Sequence, residues 1–332
     1  MSDATYDVVA IGNAIVDVIA QADHDFIARE GLTPGAMRLI DAEEAERLYS
    51  HMGPGREISG GSAANTLAGM AALGARCAFI GQVADDQLGA VFSHDLTATG
   101  VRFELPPRTG GAPTARCLIL VTPDGQRTMN TFLGASHDLQ AEALDPALIA
   151  AGELLYLEGY LWDPEATRAA MRRAIAIARD ARRRIGFTLS AVFVIDRHRA
   201  DFRALIDDGL IDLLFANEEE LLALTQAGDL EQAIAAVAPK VPLLVVTLGE
   251  HGALAIEDGQ RVAVPAEPVD RVVDTTGAGD LFAAGFLAGR AAGRSLEASL
   301  RTGAIAAAEI ISHFGARPEA DLKALVADRL RA

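Results

Sequence analysis

The chain has 332 residues, half of them hydrophobic but only 5% aromatic, and a formal net charge of −17. A chain of this length can bury a sizeable core, and an aliphatic, alanine-rich core suits helices packed on a sheet better than an aromatic-rich sandwich. So acidic a composition excludes a broad basic field for nucleic acid or an anionic membrane, but not a local anion site made of backbone amides.

Cys77 and Cys117 are the only cysteines, each inside an apolar stretch. No disulfide framework is expected, and a reducing, cytoplasmic compartment fits. Residues 1–7 are acidic and polar, and the apolar run 8–11 is too short for a signal peptide. No stretch reaches the length of a membrane helix; the richest, 304–311, is interrupted by Glu309.

In chain order, residues 8–12 read as a buried strand, 15–20 and 36–40 as short strands, and 62–73 as a helix. A strand at 77–83 and a helix at 87–97 follow, then short strands at 101–105 and 114–121 around Pro106, Pro107, Gly110, Gly111 and Pro113. Beyond them come strands at 154–157, 185–189, 213–216, 243–247 and 253–256, with helices at 164–183, 218–224, 230–238 and 281–290. This alternation predicts an α/β fold with a mainly parallel sheet and helices on both faces. No linker or repeat divides residues 1–332, so a single domain is expected. The short strands have no helices between them and cannot join βαβ units, so they predict a second, small sheet from about 15–40 and 101–133. That sheet is either a flap over a ligand or a decorative pair of hairpins.

The sharpest local pattern is Asp274-Thr275-Thr276-Gly277-Ala278-Gly279-Asp280, where an apolar strand end turns through glycines into a helix. Gly277 and Gly279 allow a tight turn that aims successive N–H groups at one point, and the helix start adds its dipole. Asp280 beside such an anion hole can accept the proton of an attacking hydroxyl while the amides hold the developing charge. The plainer reading is a helix capped by an aspartate. Lys240 and Lys323 are the only lysines among 29 basic residues, and neither follows glycine. There is thus no GxxxxGK[ST] loop, and any bound ATP must rest on backbone amides.

Other candidates fall just past predicted strands, where open parallel sheets bind ligands. Asn13 and Asp17 follow the first strand, and Asp17 can chelate a diol or serve as a turn residue. In Ser59-Gly60-Gly61-Ser62-Ala63-Ala64-Asn65, Ser62 is a natural N-cap and Asn65 faces the same mouth. Asn217-Glu218-Glu219-Glu220 either complements a helix dipole or sets Asn217 near phosphate, with Glu220 holding Mg²⁺ through water. Thr247-Leu248-Gly249-Glu250-His251-Gly252 is a turn loose enough for a nucleotide to lie against. The seven histidines show no metal-ligand spacing.

In order, these residues resemble the motifs of the ribokinase-like sugar and nucleoside kinases, the PfkB carbohydrate kinase family. The stretch Asp274–Asp280 matches that family's C-terminal pattern, Ser59–Asn65 its N-terminal di-glycine pattern, and Asn217–Glu220 its NxxE motif. The resemblance implies a three-layer α/β/α fold with a β lid, ATP and Mg²⁺, and a K⁺ ion on Asp274. It implies Asp280 as base, with Gly277, Ala278 and Gly279 as the anion hole. It further implies Asn13, Asp17, Gly60, Gly61 and Asn65 on the acceptor, and Asn217, Thr247, Gly249, Gly252 and Thr275 on the nucleotide. Arg127 resembles the lid-base arginine that meets the transferred phosphoryl group.

Within the family, residues 189–193, 212–220 and 158–161 are similar to adenosine kinases. Adenosine is therefore the first-choice acceptor, ahead of ribose, fructose, inosine or guanosine, with a non-catalytic sensor as the remaining reading. Phe103 and Phe132 are the aromatics the lid region offers to a purine. A small-molecule enzyme, monomeric or homodimeric, is implied.

Overall fold

Alternate residues along the central strands divide between two hydrophobic cores, as period-2 geometry requires of a sheet buried on both faces. The computed structural model describes residues 4–331; residues 1–3 of the polar N-terminal stretch, and residue 332, lie outside it. In chain order the strands are β1 (Tyr6–Ile11), β2 (Ile15–Gln21), β3 (Met37–Leu39), β4 (Gly55–Gly60), β5 (Cys77–Ile80), β6 (Ala115–Val121) and β7 (Arg127–Phe132). They continue as β8 (Gly152–Glu158), β9 (Arg184–Thr188), β10 (Leu213–Asn217), β11 (Leu243–Thr247), β12 (Ala253–Glu257) and β13 (Gln260–Val264).

The larger sheet has the order β13-β12-β11-β10-β9-β8-β1-β5. It is parallel from β11 to β5, and β12 and β13 add an antiparallel edge. Val8, Ala10, Tyr156 and Phe215 enter one core, with residues of the helices Ser62–Ala72, Ala278–Ala291 and Leu296–Ile310. Their neighbours Val9, Ile11, Leu155 and Leu214 enter the other, with residues of Glu165–Asp180, Val192–Asp207, Glu218–Thr225 and Leu230–Val237. The result is the ribokinase-like α/β/α arrangement, and no described helix is long and apolar enough to cross a membrane.

The second sheet has the order β3-β7-β6-β2-β4, and Val16, Val18, Leu118 and Leu120 join it to the first core. Its membership corrects the expectation in two places. Strand β4 belongs to it although its sequence carries no apolar run. Residues 101–105 do not belong to it: Arg102 bridges to Ala78 at the edge of the larger sheet. Phe103 is buried there between Phe79 and Phe92, with ring centroids at 5.8 and 5.3 Å. Burying Val101 and Phe103 against the exposed edge at β5 outweighs pairing with a distant hairpin.

Candidate active site

A cavity of about 400 Å³ lies between the carboxyl ends of the parallel strands and the second sheet. Its floor is set by two helix starts. The helix Ala278–Ala291 begins after Gly277, which takes the left-handed conformation (φ 78°) and packs so closely on Ala316 that a Cβ would approach it to 2.8 Å. Gly279 offers bare backbone to open space, and the first-turn amides lack intrahelical acceptors. Asp280 therefore lies inside the first turn and is not its cap. Its Oδ1 accepts from Ser62 Oγ at 2.6 Å and its Oδ2 from Asn65 Nδ2 at 3.0 Å. Burial pushes its carboxyl above the usual range, against the lowering effect of those two donors and of Arg317.

The second start is Ser62–Ala72, capped by Gly61 and not by Ser62. With φ at 96°, Gly61 passes so close to Asn13 O that a Cβ would sit 2.2 Å from it. The Ser62 hydroxyl is thereby free to reach Asp280. Asp17, from β2, lies over Gly60, where a Cβ would meet its Oδ2 at 2.5 Å. Asp17 lines the cavity, and burial raises its pKa to about 6.

Asn13 also lines the cavity, but its side chain is held from behind. Nδ2 donates to Glu158 Oε1 at 2.7 Å, and Oδ1 accepts from Ser136 Oγ at 2.9 Å. Glu158, fully buried, also accepts the N–H groups of Asn13 and Ala63. It thus ties the end of β1 to the start of Ser62–Ala72.

On the far side, Asn217 and Glu220 form a reciprocal capping box, with Asn217 Oδ1 accepting from Glu220 N at 2.8 Å and Glu220 Oε1 accepting from Asn217 Nδ2 at 3.0 Å. Both line the cavity with Thr247 and Thr275. Burial lifts Glu220 to about 7. Gly249 and Gly252 do not reach the wall; they shape the turn from β11 to β12, with φ of 58° and 94°. Gly60, Arg127 and Asp274 also stand behind the wall. Arg127 Nη1 donates to Asp274 Oδ2 and to Thr276 Oγ1, and Asp274 further accepts from the Thr276 and Gly315 amides, both at 3.0 Å.

Several residues of the site carry no motif in the sequence. These are Ser136, Arg317, bonded to Asn65, and the wall residues Met37, Leu39 and Met129, whereas Glu158, Tyr160 and Phe193 lie in the stretches similar to adenosine kinases but had no role expected of them. The aromatics against the cavity are not Phe103 and Phe132, which lie within the core. Tyr156, Phe215 and Phe282 line it from the first core, and Tyr160 and Phe193 from the opposite layer, with the last two ring centroids 6.1 Å apart.

The chain is 48% identical to the adenosine kinase of Sinorhizobium meliloti, whose structure superposes with a TM-score of 0.90 over 99% of this chain and 100% of that one. A probable sugar kinase from Rhizobium etli CFN 42 is 44% identical, with a TM-score of 0.91 over 98% and 99%. A fructokinase of Klebsiella pneumoniae is 32% identical over 246 residues, 72% of this chain and 80% of that protein. The description "pfkB family carbohydrate kinase" matches residues 7–322. With that match over nearly its whole length, the chain belongs to the pfkB carbohydrate kinases, ATP-dependent phosphotransferases that act on hydroxyl groups of sugars or nucleosides.

Proposed function

We propose that this enzyme is a cytoplasmic nucleoside kinase that transfers the γ-phosphoryl group of ATP to the 5′-hydroxyl of adenosine. The observation that carries the reading is the apolar lining that Met37, Leu39, Met129, Leu133, Tyr160 and Phe193 give to the cavity that Asp17 also lines. A base covers such a wall; a pentose leaves it wet. The 48% identity to an adenosine kinase supports the same choice. A free-sugar kinase is the second reading, favoured by the fructokinase likeness.

Asp280 is the proposed base. Each of its oxygens already accepts one hydrogen bond, which orients the carboxylate and leaves lone pairs for the acceptor hydroxyl. Its raised pKa makes it a better proton acceptor than an exposed aspartate. Asp17 takes the ribose diol, with Asn13, Gly61 and Asn65 around it, and the amides of Gly277, Ala278 and Gly279 hold the transferring phosphoryl group. ATP fits the open backbone at Gly279, with Asn217, Thr247 and Thr275 along its path.

Mg²⁺ fits as a companion of the nucleotide. Glu220 keeps a free lone pair on each oxygen for metal-bound water, and no cluster of three ligating side chains exists among the described residues. Bound there, the ion would neutralise phosphate charge. A K⁺ ion on the Asp274 side chain does not fit, because Arg127 already supplies the positive charge at that carboxylate.

The test measures ATP consumption with adenosine, inosine, guanosine, ribose and fructose. Adenosine should exceed ribose in kcat/KM by at least about 10²-fold, and Asp280→Asn should lower kcat by about 10²–10⁴ with ATP binding kept. Phosphoribose as the main product of a direct competition moves the enzyme to the sugar-kinase reading, and an active Asp280→Asn removes the mechanism.

A further inference from the structure

Arg317 lies in the segment between Leu296–Ile310 and the last helix, Leu322–Arg329, far in sequence from every site motif. The segment is pinned at both ends. Gly315 N–H donates to Asp274 Oδ2 at 3.0 Å, and the amides of Glu319 and Ala320 donate to Glu309 Oε1 at 2.9 and 2.8 Å. Between the pins, Ala316 backs Gly277 and the Arg317 guanidinium reaches behind the acceptor site. Nη1 donates to Asn65 Oδ1 at 2.8 Å and to Ala64 O at 3.2 Å, and Nη2 donates to Ser59 Oγ at 2.9 Å.

These contacts decide how Asn65 points. Its amide has one accepting and one donating end. With Arg317 on the accepting end, the NH₂ group must face Asp280, where it donates to Oδ2. Ser59 immediately precedes Gly60 and Gly61, so the same guanidinium holds the turn under Asp17. We propose that Arg317 is a positioning residue for phosphoryl transfer, fixing the Asn65 amide on Asp280 and supplying the positive charge that lets Asp17 and Asp280 be ionised together. The proposal rests on the reading of Asp280 as base.

The charges around Asp280 are few. Arg317 is the cation that faces it, and Asp17 and Glu158, both raised by burial, are its acidic neighbours, with the neutral phenols of Tyr156 and Tyr160. Burial lowers Arg317 to about 10, so it remains protonated at neutral pH. Removing its charge therefore raises the pH at which Asp280 becomes ionised.

The experiment compares kcat against pH for the parent enzyme, Arg317→Gln, Arg317→Lys and Asp280→Asn, with KM for ATP and the melting temperature of each. Arg317→Gln should move the acid limb of kcat upward by about one pH unit, so that the loss grows as pH falls through the limb and approaches about tenfold only well below it. KM for ATP should stay within about twofold, because the Arg317 hydrogen bonds go to Ser59, Ala64 and Asn65 on the acceptor side. Arg317→Lys keeps the charge but cannot serve Asn65, Ala64 and Ser59 at once, so kcat should fall with the acid limb unmoved. It also serves as the test if the Gln variant does not fold. An unmoved limb in Arg317→Gln, or parent kcat in Arg317→Lys, overturns the inference while a dead Asp280→Asn leaves the base in place. Turnover retained in Asp280→Asn overturns the underlying reading instead.

Discussion

Asp17 accepts no hydrogen bond from any described residue, although Asn13 and Asn65 stand close by in the same cavity. Burial raises its pKa to about 6, Asp280 and Asp274 push the same way, and Arg317 and Arg127 oppose them. A carboxyl raised in the folded state favours its neutral form. Its contribution to stability is complete below the unfolded pKa of about 4 and is lost as pH rises through about 6. The empty enzyme thus holds an under-solvated acceptor in readiness for a diol, and stability is what this readiness costs. Asp17→Asn should melt about 2–4 °C higher than the parent at pH 8, the gap closing towards pH 4. The same variant should lose acceptor affinity by tenfold or more, the effect of a charged hydrogen bond worth about 1.5–3 kcal/mol, with KM for ATP unchanged. Thermal melts across pH and paired KM values check both halves. An Asn variant no more stable than the parent at pH 8 would contradict the burial argument.

Among elements, the junction from β4 into Ser62–Ala72 shows how two adjacent glycines can serve different ends. At Gly61 the backbone itself is the obstacle, with φ at 96° and Asn13 O 2.2 Å from any Cβ, so Gly61→Ala should cost about 1–3 kcal/mol or more and lower the yield of folded protein. At Gly60 the obstacle is the end of the Asp17 side chain, which can rotate away. Gly60→Ala should therefore fold with a melting temperature near the parent's but raise the acceptor KM about tenfold; equal KM values would show that Asp17 does not need its observed position. The same junction marks the limits of legibility. Strands β8 to β11 were readable because burial on both faces leaves long apolar runs, and so were the helices that follow β8 and β10. Strand β4, with only Ser59 and Gly60 fully buried, offers no such run. The helix Val192–Asp207 hides its period behind a charged stretch and a kink at His198. Within the site, Gly277–Asp280 and Asn217–Glu220 were legible because neighbouring residues fix their geometry. The contacts of Glu158 and Arg317 were not, since their partners lie up to 145 and 258 residues away.

At the scale of the whole molecule, one buried ion pair joins the second sheet to the loop that opens the helix of Asp280. Arg127 begins β7 and Asp274 stands 147 residues on, and both side chains are nearly inaccessible, at 8% and 3%. Burial pushes the Asp274 carboxyl up, but the amides of Thr276 and Gly315 and the Arg127 guanidinium outweigh it and hold it below the usual range. Arg127 keeps Nε and Nη2 buried without a partner among the described residues. A pair that served only to hold the two sheets would be an inefficient device, because a buried arginine with idle donors bears desolvation without full return. The idle donors make sense if the side chain shifts from behind the wall to meet the oxygens of the transferring phosphoryl group, which would tie sheet position to catalysis. The two roles separate in a double variant. Arg127→Met should destabilise the fold by about 3–5 kcal/mol, since it leaves Asp274 charged and alone, and should lower kcat by about 10²-fold or more. Adding Asp274→Asn removes the stranded charge, so the double variant should recover much of the stability. Turnover should not return with it, because methionine carries no donor and a neutral amide at position 274 does not replace the guanidinium. Chemical denaturation gives the coupling energy and steady-state assays the turnover. Parent-like turnover in the stabilised double variant would reduce the pair to a structural tie and take Arg127 out of the reaction.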